Sequence, residues 1–174
     1  MSNSQLVIAI AKGYLLEEGI SLLTSYGYVF EDDFKTTRKL YIEDSTRAVR
    51  VLIVRPWDVP VYVAEGAAHL GIVGYDVLCE HQVNLLSLLD LKFGHCKLVL
   101  AGLNSKKWES LTHNLTIATK YPRSTAAYFR EKGLNVKLVK LYGAIELGPV
   151  TGLSDLICDL TASGKTLKEN NLQV

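Results

Sequence analysis

The sequence has few cysteines, no long apolar run and no excess of charge of either sign. Its three cysteines, Cys79, Cys96 and Cys158, are widely spaced and form no C-x-x-C pair, which argues against disulfides and zinc. Nineteen basic and eighteen acidic residues create no overall field for binding nucleic acid or an anionic membrane. The apolar run 6–11 is too short for a membrane span or a signal peptide. We therefore expect a cytoplasmic protein with reduced thiols.

Short apolar runs alternate with helical patterns, which predicts an α/β fold. The run 6–11 is a buried strand, and Leu16, Ile20 and Leu23 then recur at helical spacing. Further strands are predicted over 51–54, 70–73, 98–101, 115–118, 136–140 and 156–159, with helices over 59–65 and 122–132. Because the pattern breaks near Phe93, we expect a first lobe over residues 1–93 and a second over 94–174.

Residues 159–166, Asp-Leu-Thr-Ala-Ser-Gly-Lys-Thr, lie between a predicted strand and a predicted helix start. Backbone N–H groups and the hydroxyls of Ser163 and Thr166 could surround one anion there. A Walker A loop would need glycine five residues before Gly164, and Asp159 occupies that position. A carboxylate repels a triphosphate but accepts hydrogen bonds from two sugar hydroxyls. Two interpretations stay open: a ribose-5-phosphate site, or a structural turn in which Gly164 supplies positive φ.

A cluster of acids precedes this loop. Glu146, Asp155 and Asp159 lie between Gly143 and Leu160, a stretch without a basic residue. Uncompensated carboxylates are costly unless they are solvated, paired or bound to a cation such as Mg²⁺. The small and apolar neighbours of Glu146 make it the best candidate for a reacting pocket. Asp155 has a simpler interpretation as a solvent-facing strand residue.

These motifs, taken together and in order, resemble the ATP phosphoribosyltransferase family, whose members catalyse the first step of histidine biosynthesis. The last block is long enough to be specific, and the others are individually weak but collinear. The matching segments are 9–13, 54–60, 70–78, 119–122, 141–149 and 152–167.

The resemblance implies a two-lobed fold like that of type II periplasmic binding proteins, with the active site in the interlobe cleft. It also implies the catalytic pair Glu146 and Asp159, and a Mg²⁺ ion beside Glu146. Phosphoribosyl diphosphate would be bound by Asp159, Thr161, Ala162, Ser163, Gly164, Lys165 and Thr166. Nucleotide or polyphosphate would be bound by Lys12, Gly13, Arg55 and Gly74.

The resemblance further implies partners for this chain. Besides ATP and phosphoribosyl diphosphate, the length of 174 residues suggests the family's short form, without a C-terminal histidine-sensing domain. After the position of Val174 the family continues with a segment that returns to the first lobe, and two interpretations stay open: the sequence stops short of this segment, or the crossing is absent. The short form implies a homodimer within a hetero-oligomer, completed by a regulatory subunit related to histidyl-tRNA synthetase.

Three positions depart from the pattern of the family. Tyr14 and Tyr75 occupy positions where the family commonly has a basic residue, and His69 occupies one where it commonly has aspartate. The loss of two cations is expected to weaken a triphosphate site or to shift the nucleotide in it. The structural context of each position decides which of these departures bears on binding.

The chemistry of such a transfer suits a chain without an obvious catalytic histidine or serine triad. Adenine N1 carries a lone pair and no proton, so its attack on C1 of the ribose needs no strong base. The barrier lies in separating pyrophosphate from an oxocarbenium-like carbon, which preorganised charges stabilise. The competing hypothesis is a non-catalytic ligand-binding module with the same two-lobed fold.

Overall fold

A computed structural model describes residues 5–34, 36–103 and 114–174. The chain forms two compact units, Met1–Gly94 and His95–Val174, each with its own β-sheet. None of the helices in the described residues is long and apolar enough to cross a membrane. The α/β class predicted from the alternating pattern is confirmed.

The first unit has a four-stranded sheet in the order β2-β3-β1-β4. Strands β1, β3 and β4 are parallel, and the edge strand β2 is antiparallel to β3. A 3-10 turn over Pro56–Asp58 leads into α2. The elements are β1 (Leu6–Ala11), α1 (Tyr14–Ser25), β2 (Tyr41–Glu43), β3 (Val49–Val54), α2 (Val59–Ala64), β4 (Leu70–Ile72) and α3 (Tyr75–Glu80).

Both faces of this first sheet are covered, which explains the continuous apolar sequence of β1. Ile8 and Ile10 belong to one buried cluster with residues of α1, and Ala9 and Ala11 belong to another with Val59 of α2. Gly71 of β4 allows α2 to pack closely, because a Cβ atom there would lie 2.8 Å from a methyl group of Val59.

The second unit has a five-stranded sheet in the order β7-β6-β8-β5-β9. Strands β7, β6 and β8 are parallel, whereas β5 is antiparallel to both β8 and β9. The elements are β5 (Lys97–Leu103), β6 (Thr116–Thr119), α4 (Pro122–Glu131), β7 (Lys137–Lys140), α5 (Leu147–Thr151), β8 (Leu156–Thr161), α6 (Lys165–Glu169) and β9 (Leu172–Gln173).

The predicted strands and the two later helices are all present, and none of their ends shifts by more than two residues. Proline opens α4 at Pro122, and Gly133 has a φ of 70° just beyond the end of this helix, as helix-terminating glycines do. Three short elements were not predicted: α3, α5 and β9.

Candidate functional site

The residues predicted to bind polyphosphate lie at one edge of the first sheet. Lys12 and Gly13 follow β1, Arg55 follows β3, and Gly74 lies two residues beyond the end of β4. Since these three strands are parallel neighbours, their carboxyl ends meet at the same edge, where ligands of open α/β sheets bind. Backbone bonding continues to this edge, since Lys12 N–H donates to the Val54 carbonyl at 2.8 Å.

Two cationic side chains at this edge are exposed. Neither Lys12 nor Arg55 forms an ion pair with any other residue that the structure describes, so both are available to an anion. Arg55 also lines a shallow groove together with Tyr41, Asp58 and Tyr62. This combination of guanidinium and aromatic surface suits a phosphorylated ligand that carries a ring.

The two glycines at this edge precede helices. Gly13 has a φ of 106° and directly precedes α1, so a side chain at this position would be strained. Gly74 directly precedes α3, and a Cβ atom there would collide with the carboxylate of Asp76. At both positions the absence of a side chain leaves the backbone between a strand and a helix accessible to a ligand.

The three departures from the family pattern lie in two different places. Tyr14 and Tyr75 begin α1 and α3 at the polyphosphate edge, and are 60% and 75% exposed. His69 precedes β4 at the opposite end of the sheet, where its Nδ1 accepts a hydrogen bond from Val7 N–H at 2.9 Å. The two tyrosines therefore lie beside the residues predicted to bind polyphosphate, whereas His69 holds the backbone of β1 at the far end of the sheet.

Asp159 is the central titratable group of the second unit. It is half-buried in β8, and its Oδ1 accepts a hydrogen bond from Leu160 N–H at 2.8 Å. Burial raises the pKa of Asp159 above its ordinary value, and the nearby Glu146 carboxylate raises it further. The Leu160 hydrogen bond and the Lys120 ammonium favour the ionised form and oppose this shift.

The strand geometry explains why Glu146 and Asp159 come together. Side chains alternate along β8, so Asp159 shares a face of the sheet with Ile157. Ile157 is fully buried in a cluster with Ile145 and Leu167. Glu146 follows Ile145, and Leu167 belongs to α6, so both the acid and the predicted phosphate loop are anchored on this face.

The predicted phosphate loop is a tight turn after β8. The Thr161 hydroxyl accepts a hydrogen bond from Gly164 N–H at 2.8 Å, and Gly164 has a φ of 73°. Ala162, Ser163, Lys165 and Thr166 are exposed, whereas Thr161 and Gly164 are half-buried. Because the side chain of Lys165 points to solvent near Glu169, at 3.9 Å, the backbone and the small side chains form the inner surface of this loop.

Asp155 belongs neither to the pair of Glu146 and Asp159 nor to the predicted phosphate loop. It precedes β8, and its Oδ2 accepts a hydrogen bond from Thr116 N–H at 3.0 Å, at the start of β6. Asp155 is half-buried, and its hydrogen bond joins the amino ends of two neighbouring strands. The prediction that it faces solvent from within a strand was wrong.

Lys120, near Asp159, was not predicted as a site residue. Its position directly after β6 was the available signal.

Among the described residues, no group of three or more histidine, cysteine, aspartate or glutamate side chains could hold a metal ion. Beside the predicted phosphate loop, a cation could use the neighbouring carboxylates of Glu146 and Asp159. This donor set fits Mg²⁺, which commonly binds one or two carboxylates and completes its shell with water and substrate oxygens.

Comparison with known proteins gives concordant matches. The family profile described as "HisG: ATP phosphoribosyltransferase" matches residues 55–174. An ATP phosphoribosyltransferase of Citrifermentans bemidjiense is 48% identical over 170 residues, which are 96% of this chain and 80% of that protein. An ATP phosphoribosyltransferase of Caldanaerobacter subterraneus subsp. tengcongensis is 44% identical over 168 residues, 96% of this chain and 79% of that protein.

A solved structure supports the same relationship. The ATP phosphoribosyl transferase (HisG:HisZ) complex from Thermotoga maritima contains a chain that is 36% identical, with a TM-score of 0.79. The similarity covers 97% of this chain and 80% of that one. The predicted type II periplasmic-binding-protein-like fold is thereby supported at the level of the whole chain.

Proposed function

The chain belongs to the ATP phosphoribosyltransferase family of histidine biosynthesis, and we propose how its residues carry the reaction of that family. In this reaction, N1 of ATP attacks C1 of phosphoribosyl diphosphate, giving phosphoribosyl-ATP and pyrophosphate. The observation that carries the proposal is the half-buried Asp159 beside Glu146, next to the turn 161–166.

The second unit would bind the phosphoribosyl group. Asp159 would accept hydrogen bonds from the ribose hydroxyls, for which a carboxylate with a free oxygen is suited. The turn 161–166 would surround the 5′-phosphate with backbone N–H groups and with the hydroxyls of Ser163 and Thr166. Gly164, in the left-handed conformation, keeps this turn compact.

The first unit would bind polyphosphate. Lys12 and Arg55 supply exposed positive charge at the ends of neighbouring strands, and Gly13 and Gly74 leave the backbone there accessible. Of the four residues predicted to bind polyphosphate, only Lys12 and Arg55 carry positive charge. The exposed rings of Tyr14 and Tyr75 would offer the ligand contact surface but no charge.

The chemistry follows from these charges. The C1–O bond breaks with its electron pair leaving on pyrophosphate, and the N1–C1 bond forms from the adenine lone pair. Positive charge therefore develops on the ribose ring and negative charge on the leaving group. Glu146 and Asp159 would stabilise the positive charge on the ribose ring. Lys12 and Arg55 would stabilise the negative charge on pyrophosphate, as preorganised charges do in enzymes.

We further propose Mg²⁺ as the cofactor, with Glu146 as the residue nearest to it. When bound, the ion would neutralise charge on the pyrophosphate group. The substrates are intracellular metabolites, so the proposed reaction takes place in the cytoplasm. No observation favours the non-catalytic binding module over the enzyme.

The activity has a direct test. The chain, mixed with ATP, phosphoribosyl diphosphate and Mg²⁺, is expected to form phosphoribosyl-ATP and pyrophosphate, measured by absorbance and by a pyrophosphate assay. Omitting Mg²⁺ should abolish the product. Calorimetric binding of phosphoribosyl diphosphate without any turnover, in the presence of a regulatory subunit, would instead support a binding module.

A regulatory partner is proposed because the similar Thermotoga maritima structure is a HisG:HisZ complex. We expect this chain to form a homodimer within such a hetero-oligomer, with a regulatory subunit related to histidyl-tRNA synthetase. The isolated chain should have low activity that histidine does not change, and adding the regulatory subunit should alter both properties. Steady-state rates with and without histidine measure this effect, and light scattering measures the assembly. A fully active monomer that histidine inhibits directly would contradict the proposal.

A further inference from the structure

One residue, Thr119, joins the carboxyl ends of three parallel strands. It is the last residue of β6, which lies between β7 and β8. Its carbonyl accepts a hydrogen bond from Leu141 N–H, just after β7, at 3.0 Å. On the other side, its Oγ1 donates to the Cys158 carbonyl of β8 at 2.7 Å. Thr119 therefore ties both neighbouring strands to the end of β6.

The hydroxyl of Thr119 also holds the start of α4. Its Oγ1 accepts a hydrogen bond from Tyr121 N–H at 2.8 Å. The hydroxyl of Thr125, which donates to the Tyr121 carbonyl at 2.7 Å, lies 3.2 Å from the same Oγ1. Thr119 and Thr125 are both buried, so this polar cluster is shielded from water. A threonine hydroxyl offers one donor and two acceptor positions, and the protein occupies all three at Thr119.

The preceding residues of β6, Ile117 and Ala118, are fully buried and apolar. Burying a hydroxyl beside such residues is unfavourable unless it is hydrogen-bonded, and valine has the same branched shape without this requirement. A buried polar group with all its hydrogen bonds formed fixes one arrangement of its neighbours. The hydroxyl of Thr119 therefore contributes orientation at the end of the sheet rather than apolar packing.

The groups that Thr119 contacts lead directly into the candidate site. Cys158 immediately precedes Asp159, and Leu141 begins the loop that reaches Glu146 five residues later. These are carboxyl ends of parallel strands, outside which the ligands of open α/β sheets bind. Because Thr119 holds the origins of both segments, it limits how far the two carboxylates can shift relative to each other.

We propose that Thr119 is a positioning residue for the phosphoribosyl site, because its hydroxyl aligns the end of β8, and with it Asp159, against the end of β6. The inference rests on the proposed function and deepens it by naming the group that orients the ribose-binding carboxylate. Thr119 is fully buried and acts through the backbone of Cys158 rather than on the substrate. Its loss should misplace Asp159 without removing a charge, and should leave the polyphosphate edge of the first unit unchanged.

Thr119→Val tests the hydroxyl, because valine keeps the branched shape of the side chain. Calorimetric titration of the full chain with phosphoribosyl diphosphate and Mg²⁺ should show an affinity about ten- to hundredfold below that of the wild type, since small misplacements of a binding group have effects of this size. Affinity for ATP should stay within about twofold of the wild type. Thr119→Ser, which restores the hydroxyl, should recover the affinity for phosphoribosyl diphosphate to within about threefold.

Ile117→Val is the matched control, because Ile117 lies on the same strand and is also fully buried. Loss of a methyl group there should lower the melting temperature and leave both affinities unchanged. A folded Thr119→Val variant that binds phosphoribosyl diphosphate like the wild type would overturn the inference. Equal losses of affinity for phosphoribosyl diphosphate and ATP would also overturn it, since they would indicate general destabilisation.

A second variant covers the case in which Thr119→Val does not fold. Thr125→Val removes the hydroxyl that supports Thr119 from α4, and should weaken binding of phosphoribosyl diphosphate by about threefold. Wild-type affinity in Thr125→Val would then overturn the inference. A wild-type protein that binds no phosphoribosyl diphosphate is a distinct outcome, because it would refute the proposed function itself.

Discussion

Asp159→Asn is expected to weaken binding of phosphoribosyl diphosphate by about ten- to hundredfold. The change replaces a charged acceptor with a neutral amide of the same shape, and a charge-assisted hydrogen bond contributes roughly 1.5–3 kcal/mol. The Leu160 N–H can still donate to the amide oxygen, so the local backbone should be preserved. Calorimetric titration measures the loss. An affinity equal to that of the wild type would show that the ribose binds elsewhere.

The same variant should be at least as stable as the wild type near neutral pH. Because the pKa of Asp159 is raised in the folded protein, folding favours its protonated form. This contribution to the free energy of unfolding is complete below the ordinary aspartate pKa and is lost as the pH rises through the raised value. Asparagine does not titrate. The melting temperature of Asp159→Asn relative to the wild type should therefore increase between about pH 4 and pH 7.

An Asp159→Asn variant that binds weakly and also has a lower melting temperature than the wild type would instead indicate a structural role for Asp159.

The affinity of the wild type for its ligand adds an independent check, because the ribose hydroxyls need an ionised acceptor. Affinity for phosphoribosyl diphosphate should fall as the pH is lowered through the raised pKa of Asp159, and this pH dependence should be smaller in Asp159→Asn. Residues selected for binding a ligand often carry such a stability cost.

The elements with strong local signals could be predicted from the sequence. Leu6–Ala11 is apolar throughout because both faces of its sheet are covered, and Pro122 begins a helix because its ring suits a first turn. The missed elements have weak signals. β9 has two residues at a sheet edge, and α5 contains Gly148 and Pro149. Their conformation depends on tertiary packing, which outweighs local preference.

The candidate site divides in the same way. Asp159 and the turn 161–166 form a continuous segment, so their chemistry can be interpreted from the sequence. Lys120 is distant from Asp159 along the chain, and only the pairing of β6 with β8 brings the two residues near each other. The hydrogen bond between Asp155 and Thr116 could not be predicted either, because it too joins residues that are distant in sequence and meet through the pairing of β6 and β8. A single sequence records neither strand order nor register, and both are needed to assign these roles.

Arg55→Gln should lower kcat/KM by about a hundred- to thousandfold, the size of effect seen when a preorganised group that stabilises developing charge is removed. Arg55 is exposed and has no ion pair among the described residues, so its charge contributes little to folding. The guanidinium would instead stabilise the polyphosphate on which negative charge develops. Steady-state rates with each substrate varied in turn measure the loss, and thermal unfolding should show no change in stability.

Arg50→Gln is the matched control, because Arg50 lies on β3, the strand that Arg55 follows, but is engaged within the protein. Its guanidinium contacts the Glu43 carboxylate at 2.7 Å and lies over the ring of Tyr41. Removing it should reduce the free energy of unfolding by up to about 1 kcal/mol and leave kcat/KM unchanged. The change at Arg55 would then affect activity alone, and the change at Arg50 would affect stability alone. Equal losses of kcat/KM in both variants would mean that charge in this unit acts diffusely, and that Arg55 makes no specific contact with polyphosphate.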